Sequence, residues 1–169
     1  MEKIDLLDLR ILDIISGNAR IPFKDIAEMC NVSRAAIHQR VQRLTEIGVI
    51  TGSGYYINPK KIGYGTCTYV GITLEKGSMY RAVADSLQEI PEIVECHYTT
   101  GNYSMLVKLY CKDNEHLMDI LNNRIQGIAG VISTETLISL EQTINRAIHV
   151  PLNSADIAER TRRSRTEKK

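Results

Sequence analysis

Arg34, Ala35, His38, Gln39 and Gln42 fall on one side of a helical pattern whose other side carries Ile37, Val41, Leu44 and Ile47. Arg43 lies on the flank. A guanidinium can pair with guanine, a glutamine amide with adenine, and an alanine methyl can pack on the thymine methyl. No Asp or Glu interrupts the run from Ser33 to Thr45, so nothing on that face repels phosphate. The plainer alternative is a solvated amphipathic face, and local punctuation decides between the two. Ile26, Ala27 and Met29 form a short apolar stripe that Asn31-Val32-Ser33 break. Ser33 suits an N-cap, where its hydroxyl accepts from an unpaired amide of the first turn. Gly48 suits a helix stop, because it enters the left-handed region without a Cβ clash. Two short helices joined by a tight turn make a helix-turn-helix. Ser33, Arg34, Ala35, His38, Gln39, Gln42 and Arg43 are therefore the candidate contacts to double-stranded DNA.

A reading helix needs a rigid mount. Ile4, Leu7, Ile11, Leu12 and Ile15 predict a helix over about 4–16, ended by Gly17-Asn18. Pro22 sits where a second helix would begin and where a missing amide is tolerated. The three helices through Ile47 bury one another. Asp8 and Arg40 are placed to pair, bracing the first helix against the third.

The formal net charge of +1 requires any nucleic-acid binding to rest on local patches. An apolar fraction of 43% excludes a disordered chain. No apolar run reaches the length of a membrane span, and Met1 leads directly into an amphipathic helix, so a cytoplasmic protein without membrane contact is expected. Cys30, Cys67, Cys96 and Cys111 are scattered, without CxxC spacing or a metal-spaced Cys/His cluster. They read as buried, reduced thiols, with no metal and no cofactor.

After Ile50 the sequence TGSGYYINPKKIGYG marks a linker, with a short strand expected at Tyr55 to Ile57. The next body reads as strand (Thr66–Leu74), helix (Met79–Ile90), strand (Ile93–Thr100), strand (Ser104–Lys112), helix (Glu115–Ile128) and strand (Val131–Leu140). Ala82, Val83, Ser86, Leu87 and Ile90 mark the apolar face of the first of these helices. The order is βαββαβ, the ferredoxin-like arrangement. An internal echo supports it: Gln88-Glu-Ile-Pro-Glu-Ile-Val94 aligns with Gln126-Gly-Ile-Ala-Gly-Val-Ile132. The fold class is thus α+β, a three-helix helix-turn-helix domain followed by a ferredoxin-like sandwich. Domain limits are 1–51 for the head, 52–65 for the linker, 66–145 for the sheet domain and 146–169 for a basic tail. The tail carries Arg160, Arg162, Arg163, Arg165, Lys168 and Lys169. Alternation puts Met105, Val107, Leu109 and Cys111 toward the helices and Leu106, Lys108, Tyr110, Tyr69 and Leu137 on the open face. A face with tyrosines and leucines outward meets another sheet, so a homodimer is expected.

Ile4-Asp5, Asp8, Ile11-Leu12, Asn18-Ala19-Arg20, Ser33, Arg40-Val41, Arg43-Leu44, Gly48-Val49-Ile50 and Asn58-Pro59 form a joint pattern with Val94, Thr100-Gly101 and Val131-Ile-Ser-Thr-Glu-Thr136. Over residues 4 to about 145 it resembles the leucine-responsive/asparagine-regulator (Lrp/AsnC, feast/famine) transcription factors. That resemblance implies dimers assembling into tetramers, octamers or open chains, with a small effector, usually an amino acid, bound between dimers. By position the effector residues would be Thr100, Gly101, Asn102, Tyr103, Ser104, Thr134 and Thr136. Gly101-Asn102 is a turn with free amides, and Thr134 and Thr136 share a strand face. Many relatives carry an acidic residue where this chain has Ser104, which offers only a hydroxyl. That departure leaves an amino acid, another small effector or no effector as the alternatives.

The expected function is sequence-specific transcriptional regulation modulated by such an effector. One alternative is an effector-insensitive nucleoid organiser. Another is a tetrapyrrole-pathway decarboxylase, since some of those enzymes resemble this family in both domains. His97, His116 and His149 are dispersed and no nucleophile–base pair is visible, so catalysis is not expected.

Overall fold

The computed structural model describes residues 4–152. The basic stretch from Arg160 to Lys169 lies outside them. The described chain forms two compact units: the residues up to Tyr56 together with those from Asn145, and Ile57–Ile144.

In the first unit, α1 (Leu6–Gly17) is opened by a reciprocal cap between Asp5 and Asp8. Helix α2 (Phe23–Cys30) follows Pro22 directly. It ends at Asn31, whose left-handed φ of 54° lets the Val32 amide reach the Ala27 carbonyl at 3.0 Å. Asparagine tolerates that conformation better than most side chains. Ser33 then caps α3 (Arg34–Glu46), its hydroxyl accepting from the Ala36 amide at 3.1 Å. Past α3, Gly48 at φ +74° turns the chain, and the Val49 amide closes on the Leu44 carbonyl at 2.9 Å. Leu7, Ile11, Ile26, Ala27, Cys30 and Ile37 form one core. Met29, expected inside, is 51% exposed, because the inward position one step on goes to Cys30.

The strand expected at Tyr55 to Ile57 is absent. Those residues are extended without a ladder partner, and a 3-10 turn over Pro59–Ile62 follows, capped by Asn58. Pro59 has no amide to donate and favours such a turn.

The second unit is β1 (Thr66–Leu74), α4 (Tyr80–Gln88), β2 (Ile93–Tyr98), β3 (Met105–Cys111), α5 (Asn114–Asp119) and β4 (Val131–Ser139). The antiparallel sheet runs β2-β3-β1-β4, the ferredoxin-like order. Helix α5 continues into a widened π-type segment over Ile120–Ile125. The repeat seen in the sequence is structural. Ile90 donates to Leu87 and Ile93 to Ile90, both at 3.0 Å; Ile128 donates to Ile125 and Val131 to Ile128, both at 3.1 Å. Each helix therefore hands over to its strand by the same pair of turns.

Val70, Ile72, Leu74, Met105, Val107, Leu109 and Cys111 face Val83, Leu87, Leu117, Ile120 and Ile125 in the core. Ala82 and Ser86, expected on the buried face of α4, are exposed. On the other side of the sheet, Tyr69 pairs with both Lys108 and Leu137. Leu137 is 49% exposed. Lys108 lies between the rings of Tyr69 and Tyr110, 6.0 and 5.9 Å from their centroids, and donates to Glu95 at 2.8 Å. The open face is thus the mixed surface that alternation gave. The cysteines split: all four are free thiols, but only Cys30 and Cys111 are buried. Cys67 points to the open face opposite Tyr110, and Cys96 sits on the edge strand β2, so neither is enclosed.

Candidate nucleic-acid interface and ligand site

Helix α3 presents Ser33, Arg34, Ala35, His38, Gln39 and Gln42 as exposed residues. Their spacing follows from the burial of Ile37 and Leu44, both with no accessible surface. His38 meets the Phe23 ring edge-on at 5.9 Å between centroids, a contact between α2 and α3. Gln42 donates to Glu46 at 2.9 Å, one turn on. Arg34 is exposed and has no acidic partner among the described residues.

Arg43 is placed differently from the expectation. Its Nη2 donates to Asp8 Oδ2 at 2.6 Å, so its guanidinium turns toward α1. Arg40 Nη1 donates to Asp8 Oδ1 and to Asp5 Oδ2, both at 2.7 Å. The expected Asp8–Arg40 brace is therefore present, with Arg43 as a further arm. Asp8 is fully buried, and its carboxylate also accepts the Asp5 amide at 3.0 Å. Partial burial raises the Asp5 carboxyl, but the Asp8 amide and Arg40 outweigh it and hold the group below its ordinary value. Burial likewise opposes the Arg40 charge, and Asp8 and Asp5 overcome it, pushing that guanidinium up. A buried anion left by its cations is strongly disfavoured. The sequence signal for the extra arm was present: Arg40 and Arg43 are three residues apart and share a helix flank.

In the second unit, Thr100, Gly101 and Asn102 form the exposed β2–β3 loop, with Gly101 at φ +116°. Thr99 pins it, its hydroxyl donating to the Tyr103 carbonyl at 2.8 Å. Ser104 is committed to the sheet: its amide donates to Ile72 at 2.9 Å and its hydroxyl accepts from Leu74 at 3.2 Å. Tyr103 lies over Gly71 on the open face, with its phenol beside the Glu135 carboxylate. Thr134 and Thr136 pair with Ile72 and Val70, whose side chains are in the core, so they point to the helix side. Within one chain the loop tyrosine and the two threonines are thus on opposite faces of the sheet. Gln126, not expected at the site, donates to the Thr134 hydroxyl at 2.8 Å. It occupies the first position of the second internal repeat, which was its only sequence signal.

Among the described residues no group of His, Cys, Asp and Glu can hold a metal ion. No described helix is long and apolar enough to cross a membrane.

Residues 4–51 match the winged helix-turn-helix DNA-binding family and residues 67–148 the Lrp/AsnC ligand binding domain. The chain is 39% identical over 145 residues to the regulatory protein AsnC of Escherichia coli, covering 86% of this chain and 95% of the relative. It is 37% identical over 139 residues to the HTH-type transcriptional regulator LrpA of Pyrococcus abyssi, covering 82% and 98%. The solved structure of E. coli AsnC superposes with a TM-score of 0.81 at 38% identity, covering 87% of this chain and 99% of that one. The feast or famine regulatory protein from M. tuberculosis, complexed with L-methionine, gives 0.82 at 26% identity, covering 88% and 100%. With a DNA-binding head on one side of Tyr56 and a ligand-binding sheet on the other, the chain belongs to the Lrp/AsnC family of transcriptional regulators.

Proposed function

We propose that the chain reads operator DNA with Ser33, Arg34, Ala35, His38, Gln39 and Gln42 in the major groove, under the control of an amino acid. The observation that carries the reading is the outer face of α3: exposed, free of acidic residues from Ser33 to Thr45, and backed by Ile37 and Leu44 without accessible surface. Residues 1–51 act as the head, 52–65 as the linker and 66–145 as the pairing and sensing body. Tyr69, Leu106, Tyr110 and Leu137 on the open sheet face support pairing with a second copy. A dimer would present two copies of α3 to one palindromic site.

Thr100, Gly101, Asn102, Tyr103, Ser104, Thr134 and Thr136 are the proposed effector residues. The separation of Tyr103 from Thr134 and Thr136 across the sheet supports a site completed by a neighbouring copy in a tetramer or octamer. The L-methionine bound to the M. tuberculosis relative supports an amino acid as the ligand class. The protein works in the cytoplasm as a regulator rather than a catalyst. The test is selection of bound fragments from the source genome, with and without a panel of amino acids, together with the assembly size in each condition. Palindromic fragments whose yield changes with one amino acid support the reading. Sequence-independent recovery that no amino acid alters favours the nucleoid organiser instead.

A further inference from the structure

We infer that Asp8 is the residue that positions the reading helix, and that it does so by withdrawing Arg40 and Arg43 from DNA. Both arginines lie on one flank of α3, about 4.5 Å apart along its axis. One carboxylate on α1 takes both, Oδ1 holding Arg40 at 2.7 Å and Oδ2 holding Arg43 at 2.6 Å. Two anchors separated along the axis resist tilting of α3, and their convergence on a single carboxylate resists its rotation. Asp8 is itself fixed: it is buried, its amide donates to Asp5 Oδ1 at 2.8 Å, and its Oδ2 accepts the Asp5 amide. Asp5 adds a second negative charge on Arg40 at 2.7 Å. The two carboxylates offset the two guanidinium charges.

Neither arginine can leave for a phosphate without stripping a partner from a buried anion, a strongly disfavoured change. Arg34, exposed and without an acidic partner among the described residues, is then the arginine of α3 that meets the duplex. This goes beyond the proposed reading of DNA by α3 and rests on it only for Arg34. It also reassigns Arg43 from a contact with DNA to a positioning residue.

The test compares the unaltered protein with Arg43→Gln, Asp8→Asn and Arg34→Ala. Each binds a duplex selected by the unaltered protein from a random library, and a scrambled duplex of the same length, across a salt series. Arg43→Gln is expected to weaken the selected duplex about tenfold, equivalent to about 1.4 kcal/mol of lost helix positioning, while the salt slope on the scrambled duplex is retained. Asp8→Asn is expected to tighten the scrambled duplex and steepen its slope by about 0.9 for each guanidinium released to phosphate. A slope shallower by about 0.9 in Arg43→Gln, with equal loss on both duplexes, would show Arg43 on phosphate and overturn the inference. An Asp8→Asn slope no steeper than that of the unaltered protein would also overturn it. If Asp8→Asn does not fold, the Arg43→Gln comparison decides alone. Arg34→Ala separates the two readings: equal losses on both duplexes there count against base reading and leave the brace to be judged by Arg43→Gln.

Discussion

A Cβ on Gly71 would fall 2.5 Å from Cγ of Tyr103, so the ring from the β2–β3 loop rests directly on the backbone of β1. The phenol of Tyr103 neighbours the carboxylate of Glu135, whose strand partner is Gly71. The neighbouring Glu135 carboxylate, with some desolvation, pushes the phenol above its ordinary value. One loop residue thereby spans β1 to reach β4 on the open face. Gly71 is the position that admits it.

Gly71→Ala should therefore displace Tyr103 and destabilise the sheet domain by about 1–3 kcal/mol, the usual range for overpacking. Urea unfolding followed by circular dichroism measures it. An unchanged midpoint would mean that the ring moves away without cost.

Loss of Asp8 should cost more than loss of an exposed acid. Asp8→Ala removes the shared partner of two arginines and is expected to destabilise the head by about 3 kcal/mol, at the low end for a buried ion pair because Arg40 and Arg43 keep some contact with water. Asp25→Ala, an exposed change, is the comparison. Thermal unfolding of the two variants should separate them clearly; equal shifts would contradict the brace.

The two units should respond to opposite ends of the pH scale. The folded value of Asp5 lies below its ordinary 3.8, so its contribution is present at neutral pH and is lost as pH falls through the folded value. Lys108 is raised above its ordinary 10.5, first by its bond to Glu95. Its contribution is complete below 10.5 and is lost as pH rises through the raised value. Amide exchange resolved by residue should show α1 and α3 loosening first in acid and β2 and β3 first in alkali. The reverse order would sink this assignment.

The Thr134–Gln126 bond offers a handle on the proposed effector site. Gln126→Ala leaves the Thr134 hydroxyl without its donor, and an amino-acid response that uses Thr134 should weaken. Calorimetry with an amino-acid panel reads this directly. A variant that binds as the unaltered protein does would remove Thr134 from the proposed site.

The fold was legible where periodicity and punctuation agreed. Ile37 and Leu44 defined α3, Ser33 and Gly48 bounded it, and the strand alternation of Met105 to Cys111 matched the burial found. It was less legible where a residue's task depends on a distant segment. Arg43 was read on the flank of α3 as a further DNA contact, because its spacing from Arg40 marks a shared flank but does not say that both meet Asp8 on another helix. Met29 looked buried because apolar character alone does not say which of two neighbouring positions the core can take. Tyr55 to Ile57 looked like a strand by composition, but a strand needs a ladder partner, and none lies beside it among the described residues. The loop and the two threonines were named together, yet alternation along β4 places Thr134 and Thr136 opposite the face that Tyr103 covers.

The most direct test of the central claim is the affinity of Arg34→Ala combined with Gln39→Ala for a selected operator duplex, set against its affinity for scrambled DNA. The account predicts a loss of roughly a hundredfold or more on the operator, from two base contacts of about 1–3 kcal/mol each, and a much smaller loss on scrambled DNA. Equal losses on the two duplexes would contradict it, because the exposed face of α3 would then be holding DNA without reading it.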